Sequence, residues 1–227
     1  MTIQKVLIFD SGTLINLSMN GLLYILPELK KTSPVRFVIT EQVKYEVVDR
    51  PIGVPRFELG ALRINDLITE NILELPEAFE VSSSEISSRT QKLMDIANHA
   101  VQAHGKFVKI VSDAEISCLA LSSILSEQKI ENLIAIDERT TRLLAEKPKN
   151  LQKLMSKKLH FNVSLDLKDF HHFKDFVFIR STELAYVAHK KGVLHVRGPR
   201  ALEAALYATK YKGSSVSFDE INVLRKM

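Results

Sequence analysis

The sequence predicts an α/β fold: a three-layer α/β/α sandwich around a mostly parallel sheet, followed by a mainly helical C-terminal extension. The run KVLIFD, at residues 5–10, has no polar–apolar alternation, which is typical of a parallel strand buried on both faces. Similar short runs alternate with amphipathic helical patterns, as in folds with parallel sheets. The chain has 227 residues, 45% hydrophobic and 26% charged, enough for one substantial core.

Strands are predicted wherever a short apolar run lies between helix or turn signals, at residues 5–10, 36–39, 72–75, 132–136 and 176–180. Helices are predicted at residues 13–31, 40–50, 57–69, 82–104, 112–125, 138–145, 150–158, 182–191, 200–211 and 217–226. Ser82 with Glu85, and Ser112 with Glu115, form capping-box patterns that begin two of these helices. Pro34 and Pro51 follow the ends of two others, since proline disrupts a helix.

The charge distribution divides the chain near Pro148. Residues 1–146 carry 15 Lys and Arg against 20 Asp and Glu, a net charge of −5. Residues 147–227 carry 16 against 7, a net charge of +9. We therefore expect a domain over residues 1–147, with a helical insertion at about 51–109, and a basic extension over residues 148–227.

Four acidic side chains come from four places that a parallel sheet brings together. Asp10 ends the first strand and Asp137 ends the strand NLIAI, while Asp113 opens a helix and Glu46 lies within the helix after RFVI. Ligands bind beyond the carboxyl ends of parallel strands, and clustered carboxylates favour a hard cation such as Mg²⁺ or Mn²⁺. The alternative is that each acid caps or stabilises a helix N-terminus.

Four short motifs also occur in a characteristic order along residues 3–146: FDSGTLI, TEQVKYEVV, SDAEISCLALSSIL and LIAIDERTTRLLA. In this order they resemble the PIN-domain family of α/β/α metal-dependent nucleases, most of which act on RNA. The resemblance implies a metal site supported by the Ser11 hydroxyl. Its carboxylate ligands would be Asp10, Glu46, Asp113 or Glu115, and Asp137.

The resemblance implies a Mg²⁺- or Mn²⁺-dependent ribonuclease, in which the ion activates water and offsets charge at the phosphorus. The alternative is a non-catalytic nucleic-acid-binding or scaffold protein that retains the PIN-like fold. A haloacid-dehalogenase-type phosphatase is a poorer explanation of FDSGTL. Its D-x-D-G-T motif needs a second Asp two residues after the first, where this chain has Gly12.

Basic residues of the extension are the predicted contacts to an RNA backbone. Lys and Arg bind phosphate groups through their positive charge and do not need to recognise individual bases. They are Lys153, Lys157, Lys158, Lys190, Lys191, Arg197 and Arg200. The alternative is that these residues form ordinary solvated helix faces. We interpret Tyr207 and Tyr211, four residues apart, as half-buried packing residues, with base stacking as the alternative.

The remaining expectations concern the compartment and the partners. The single cysteine, Cys118, cannot form an internal disulfide, which favours the cytoplasm. Neither a signal peptide nor a membrane-spanning run is expected. The resemblance implies RNA as the partner and is compatible with a homodimer. An inhibitory, antitoxin-like partner is not the expectation, since the insertion and the extension exceed a minimal toxin of this type.

Overall fold

The computed structural model describes residues 5–166 and 168–227, and it is an α/β structure. Its main sheet has five strands: β1 (Lys5–Phe9), β2 (Val35–Val38), β3 (Leu73–Glu74), β6 (Asn132–Ala135) and β8 (Phe178–Ile179). They lie in the order β3-β2-β1-β6-β8, and every neighbouring pair is parallel. Residues 1–4, at the start of the predicted first domain, lie outside the described residues.

The central strand explains why this sheet is covered on both sides. Val6, Leu7, Ile8 and Phe9 are all buried, although successive side chains of a strand point to opposite faces. Helices therefore pack on both faces, which is compatible with a three-layer arrangement. The predicted α/β class and the mostly parallel sheet are confirmed.

Eleven α-helices occur in the described parts of the chain. They are α1 (Ser11–Met19), α2 (Ile25–Thr32), α3 (Glu41–Lys44), α4 (Glu58–Thr69), α5 (Ser83–His99), α6 (Asp113–Glu127), α7 (Arg139–Glu146), α8 (Pro148–Leu159), α9 (Ser181–Lys190), α10 (Ala201–Tyr211) and α11 (Phe218–Lys226). A π-helix at Tyr45–Asp49 continues α3, and 3₁₀ turns lie at Pro76–Phe79 and Phe170–Phe173.

Two predicted helices differ from the structure. The helix predicted at residues 13–31 is divided into α1 and α2, because Gly21 adopts a left-handed conformation with φ +65°. The helix predicted at residues 82–104 ends at His99, and the chain continues into β4 (Val101–Ala103) and β5 (Lys106–Phe107). His104 and Gly105 both have positive φ, which suits the tight turn of a hairpin.

This hairpin belongs to a second, antiparallel sheet that the sequence patterns did not predict. Its order is β5-β4-β7, where β7 is Ser164–Leu165. The strands have two or three residues each, too short to produce a recognisable alternation of polar and apolar positions.

The segment after residue 147 contributes to the main sheet and its core. Strand β8 pairs with β6, and Phe170 and Phe173 are buried in the same apolar cluster as β1. A smaller cluster formed by Leu206, Val216 and Ile221 joins α10 to α11.

In the described residues, no helix combines the length and the apolar character needed to cross a lipid bilayer.

Candidate functional site

Asp10 lies at the carboxyl end of β1, the central strand, and is 2% exposed. It is the N-cap of α1, and its Oδ2 accepts a 3.0 Å hydrogen bond from the Gly12 backbone N–H. A Cβ atom added at Gly12 would lie 3.0 Å from the same oxygen. Glycine at position 12 therefore lets the helix start close against the Asp10 carboxylate.

Glu46 approaches this strand end from the π-helix that follows α3. The wider turn is closed by the Arg50 N–H, which donates to the Tyr45 carbonyl at 2.9 Å. Single π turns inside helices are frequent at functional sites. The Ser11 hydroxyl donates to Glu46 Oε2 at 2.5 Å and lies 3.5 Å from Asp10 Oδ1. Ser11 therefore links the two carboxylates.

Glu115, the third residue of α6, supplies the next carboxylate. Its Oε2 accepts hydrogen bonds from the Ser112 N–H at 3.1 Å and from the Thr141 hydroxyl at 2.8 Å. The first is one half of a complete capping box, since the Ser112 hydroxyl accepts from the Glu115 N–H. The same side chain thus caps a helix and faces the strand end.

Burial and neighbouring carboxylates both raise the pKa of Asp10 and of Glu115. Burial raises the pKa of Asp10 to about 8, together with the charges of Glu115 and Glu46 and against the hydrogen bond from Gly12. Burial also raises the pKa of Glu115, as do the charges of Glu138 and Glu46, against the hydrogen bonds from Ser112 and Thr141. We call Asp10, Glu46 and Glu115 the acidic cluster.

Asp113, predicted beside Glu115 as a possible ligand, lies away from Asp10. Its side chain is 68% exposed and lies 3.6 Å from Lys109 Nζ. Residues two apart on an α-helix point about 200° apart around its axis, so Asp113 and Glu115 cannot face the same site. The structure brings Glu115, and not Asp113, to Asp10.

Asp137 lies at the end of β6 in a buried hydrogen-bond network. Its Oδ1 accepts from the Ser181 N–H at 2.9 Å, and its Oδ2 accepts from the Ser181 hydroxyl at 2.7 Å and from Asn16 Nδ2 at 2.9 Å. Asn16 Nδ2 also donates to the Thr209 carbonyl at 2.9 Å. Burial raises the pKa of Asp137 despite these donors. The carboxylate joins α1 to α9, and Asn16 extends the network to α10.

Glu138, which is not among the predicted site residues, lies next to the acidic cluster, because Thr141 donates to both Glu138 and Glu115. It is the N-cap of α7, where its carboxylate accepts from the N–H groups of Thr140 and Thr141. Lys158 Nζ of α8 lies 2.9 Å from Glu138 Oε1. The sequence signal that could have identified Glu138 is its position directly after Asp137, at the end of a predicted strand.

The other predicted RNA contacts are exposed. Lys153 and Lys157 lie on α8 with Lys158. Lys190 Nζ donates to the Met227 carbonyl at 2.7 Å, and Arg200 lies 3.7 Å from Glu203. The remaining two, Lys191 and Arg197, are also exposed. Of the seven, Lys158 is placed directly beside an acid that faces the cluster.

Comparisons with family models, curated proteins and solved structures found no match for this chain. In residues 5–166 and 168–227, no group of three or more His, Cys, Asp or Glu side chains is close enough together to hold a metal ion as it stands. The acidic cluster is therefore a set of facing carboxylates rather than a preformed cage.

Proposed function

We propose that this chain is a Mg²⁺- or Mn²⁺-dependent ribonuclease with a PIN-like fold, whose acidic cluster holds the ion. The observation that carries the proposal is the placement of three acids around the carboxyl end of the central parallel strand, where Ser11 links Asp10 to Glu46 and the charge of Glu115 acts on Asp10. Ligands of open α/β sheets bind at this end. The three acids come from separate elements, so helix capping alone does not explain why they face one another.

The donor chemistry fits a hard divalent cation. Carboxylate oxygens are the ligands that Mg²⁺ and Mn²⁺ prefer. Burying a carboxylate beside other acids is costly, as the pKa of Asp10 raised by burial and by the charges of Glu115 and Glu46 indicates, and a cation would offset that cost. Holding the ion requires the three side chains to draw closer than they lie in the structure.

When bound, the ion would supply Lewis-acid activation of water and of a phosphodiester. The chain's own residues orient the ligands. The Gly12 N–H holds Asp10, the Ser11 hydroxyl holds Glu46, and the Thr141 hydroxyl holds Glu115. Each ligand thus has a partner that fixes its direction, as is usual for metal sites.

RNA would reach the cluster along the basic residues of α8. Lys158 connects the two, because its ammonium group contacts Glu138, whose charge acts on Glu115. Lys153 and Lys157 are exposed on the same helix. Positive side chains beside an acidic cleft offset the repulsion between the cleft and the phosphate backbone.

The experiment is cleavage of an end-labelled RNA that contains both paired and single-stranded segments. Wild type is incubated with Mn²⁺ and with EDTA, and Asp10→Asn is incubated with Mn²⁺. We expect products only for wild type with Mn²⁺. Asp113→Asn, a change of the same chemistry at an exposed position, is the matched control and keeps its activity.

Cleavage by Asp10→Asn at the wild-type rate would contradict the site. Intact RNA in every reaction, with a mobility shift that weakens steeply as salt rises, would replace the proposal with the non-catalytic nucleic-acid-binding function.

A further inference from the structure

Three aromatic rings form a row where α10 meets α11. The centroids of Tyr207 and Tyr211 are 6.3 Å apart with the planes at 22°, and those of Tyr207 and Phe218 are 6.2 Å apart with the planes at 42°. Tyr207 is partly buried between the other two. We call Tyr211, Tyr207 and Phe218 the aromatic row.

The two outer rings are open to solvent. Tyr211 is 72% exposed and Phe218 is 53% exposed, and with Tyr207 they form a contiguous aromatic surface. The half-buried packing predicted for the tyrosine pair therefore describes Tyr207 but not Tyr211. Contiguous exposed apolar surface is typical of contact sites, whereas a single exposed ring needs no such explanation.

Positive charge accompanies the rings. Lys210 Nζ lies 4.4 Å from the centroid of the Phe218 ring and donates to the Val216 carbonyl, which holds it in place. Lys212 follows Tyr211 and is exposed. Against these, Asp219 is the exposed acid that follows Phe218.

The row is held on a well-defined support. Ser217 and Glu220 form a complete capping box at the start of α11, and Glu220 accepts from Arg180 Nη2 at 2.9 Å. Leu206, Val216 and Ile221 pack beneath as a small core. Rings on such a support lose little conformational freedom on binding.

We propose that the aromatic row is a binding site for single-stranded nucleic acid, in which Tyr211 and Phe218 stack on bases. Proteins that bind single strands without sequence preference combine exposed aromatic rings with positively charged side chains. Any base can stack on such a ring, since every base has a π face. The net charge of +9 over residues 147–227 complements a polyanion. The site is independent of catalysis at the acidic cluster.

The first test uses the absence of tryptophan from the sequence. Tyr211→Trp introduces one fluorophore at the row. An oligouridine of about 12 nucleotides, within the range that single-strand-binding folds cover, is added in EDTA so that no metal-dependent cleavage occurs. We expect saturable quenching of the tryptophan emission. Unchanged emission at concentrations that saturate binding would overturn the proposal.

The second test measures affinity for the same labelled strand by fluorescence anisotropy in EDTA. Tyr211→Ala and Phe218→Ala should each weaken binding about fivefold or more, from the loss of one stacked base. Phe107→Ala is the matched control, because Phe107 is 52% exposed but lies on the hairpin, and it should bind as wild type does.

Wild-type affinity in both row variants would overturn the proposal. So would a blue shift of the tryptophan emission that depends on protein concentration without RNA, since it would assign the row to an interface between two copies. Because both tests omit metal and measure no product, they are unaffected by whether the acidic cluster is a nuclease site.

Discussion

The Ser11 hydroxyl donates a 2.5 Å hydrogen bond to Glu46 Oε2, although the two residues are 35 positions apart in the chain. This contact joins the end of the central strand to the π-helix beside it. Ser11 directly follows Asp10, whose carboxylate is buried and costly to ionise. By binding Glu46, Ser11 therefore places a second carboxylate beside that of Asp10. The acidic cluster thus depends on a short hydroxyl–carboxylate contact.

Asp10 should make the metal-free protein less stable as the pH rises. Its pKa is about 8 in the folded chain, against an ordinary value of 3.8, so the folded state binds the proton more tightly than the unfolded state. Below pH 3.8 both states are protonated and Asp10 imposes no penalty. Between pH 4 and 8 the penalty grows by up to about 1.4 kcal/mol per pH unit, and it is then constant.

Asp10→Asn removes this titration. In EDTA, the free energy of unfolding of the variant relative to wild type should therefore increase from pH 5 to pH 8, as measured by urea denaturation. A difference between the two proteins that does not change with pH would mean that Asp10 ionises normally in the folded chain.

Glu115 and Asp113 allow a direct comparison between two acids on one helix. Glu115→Gln should lower Mn²⁺-dependent RNA cleavage by about 100-fold or more, because it removes a carboxylate that faces Asp10. Asp113→Asn should leave the rate within about twofold, since that side chain is exposed beside Lys109. Loss of cleavage in Asp113→Asn with normal cleavage in Glu115→Gln would instead identify Asp113 as the ligand.

Lys158 should contribute more to RNA binding than its neighbour Lys157. Both are exposed on α8, but Lys158 lies 2.9 Å from Glu138 at the edge of the acidic cluster. Loss of a phosphate contact there, at about 1 kcal/mol, corresponds to about fivefold weaker binding. Anisotropy titrations of Lys158→Ala and Lys157→Ala in EDTA measure this, and equal effects would count against a path along that edge.

The Asp137 side chain should stabilise the folded chain. Asp137→Ala leaves the Ser181 hydroxyl, the Ser181 backbone N–H and one N–H of the Asn16 amide without an acceptor in a buried site. We expect the free energy of unfolding to fall by about 3 kcal/mol or more, because unsatisfied buried donors are costly. Asp66→Ala, at an exposed helical position, should change it by less than about 0.5 kcal/mol. Similar values for both variants in urea denaturation would mean that the network contributes little.

The sheet was predictable because its strands are buried on both faces and read as uninterrupted apolar runs, as in KVLIFD. The hairpin after α5 was not. Its strands have two or three residues, and the helical pattern of residues 82–99 continues into them without a proline. The contribution of β8 to the main sheet depends on long-range pairing with β6, which local patterns do not report.

The candidate site was predictable where strand ends determine it, as for Asp10. The choice between Asp113 and Glu115 depends on helix phase, and Glu115 both completes the capping box and belongs to the acidic cluster. The hydrogen-bond network of Asp137 could not be predicted, because its donors, Ser181 and Asn16, are 44 and 121 positions away in the sequence. The π turn that carries Glu46 has no local sequence signal that we could use.

The most direct test of the acidic cluster is a calorimetric titration of Mn²⁺ into wild type, Asp10→Asn, Glu115→Gln and Asp113→Asn, each freed of metal beforehand. We predict saturable binding to wild type and to Asp113→Asn with similar affinity, and loss of that binding in Asp10→Asn and Glu115→Gln. Binding that survives Asp10→Asn unchanged would contradict the proposal that these carboxylates form one cation site.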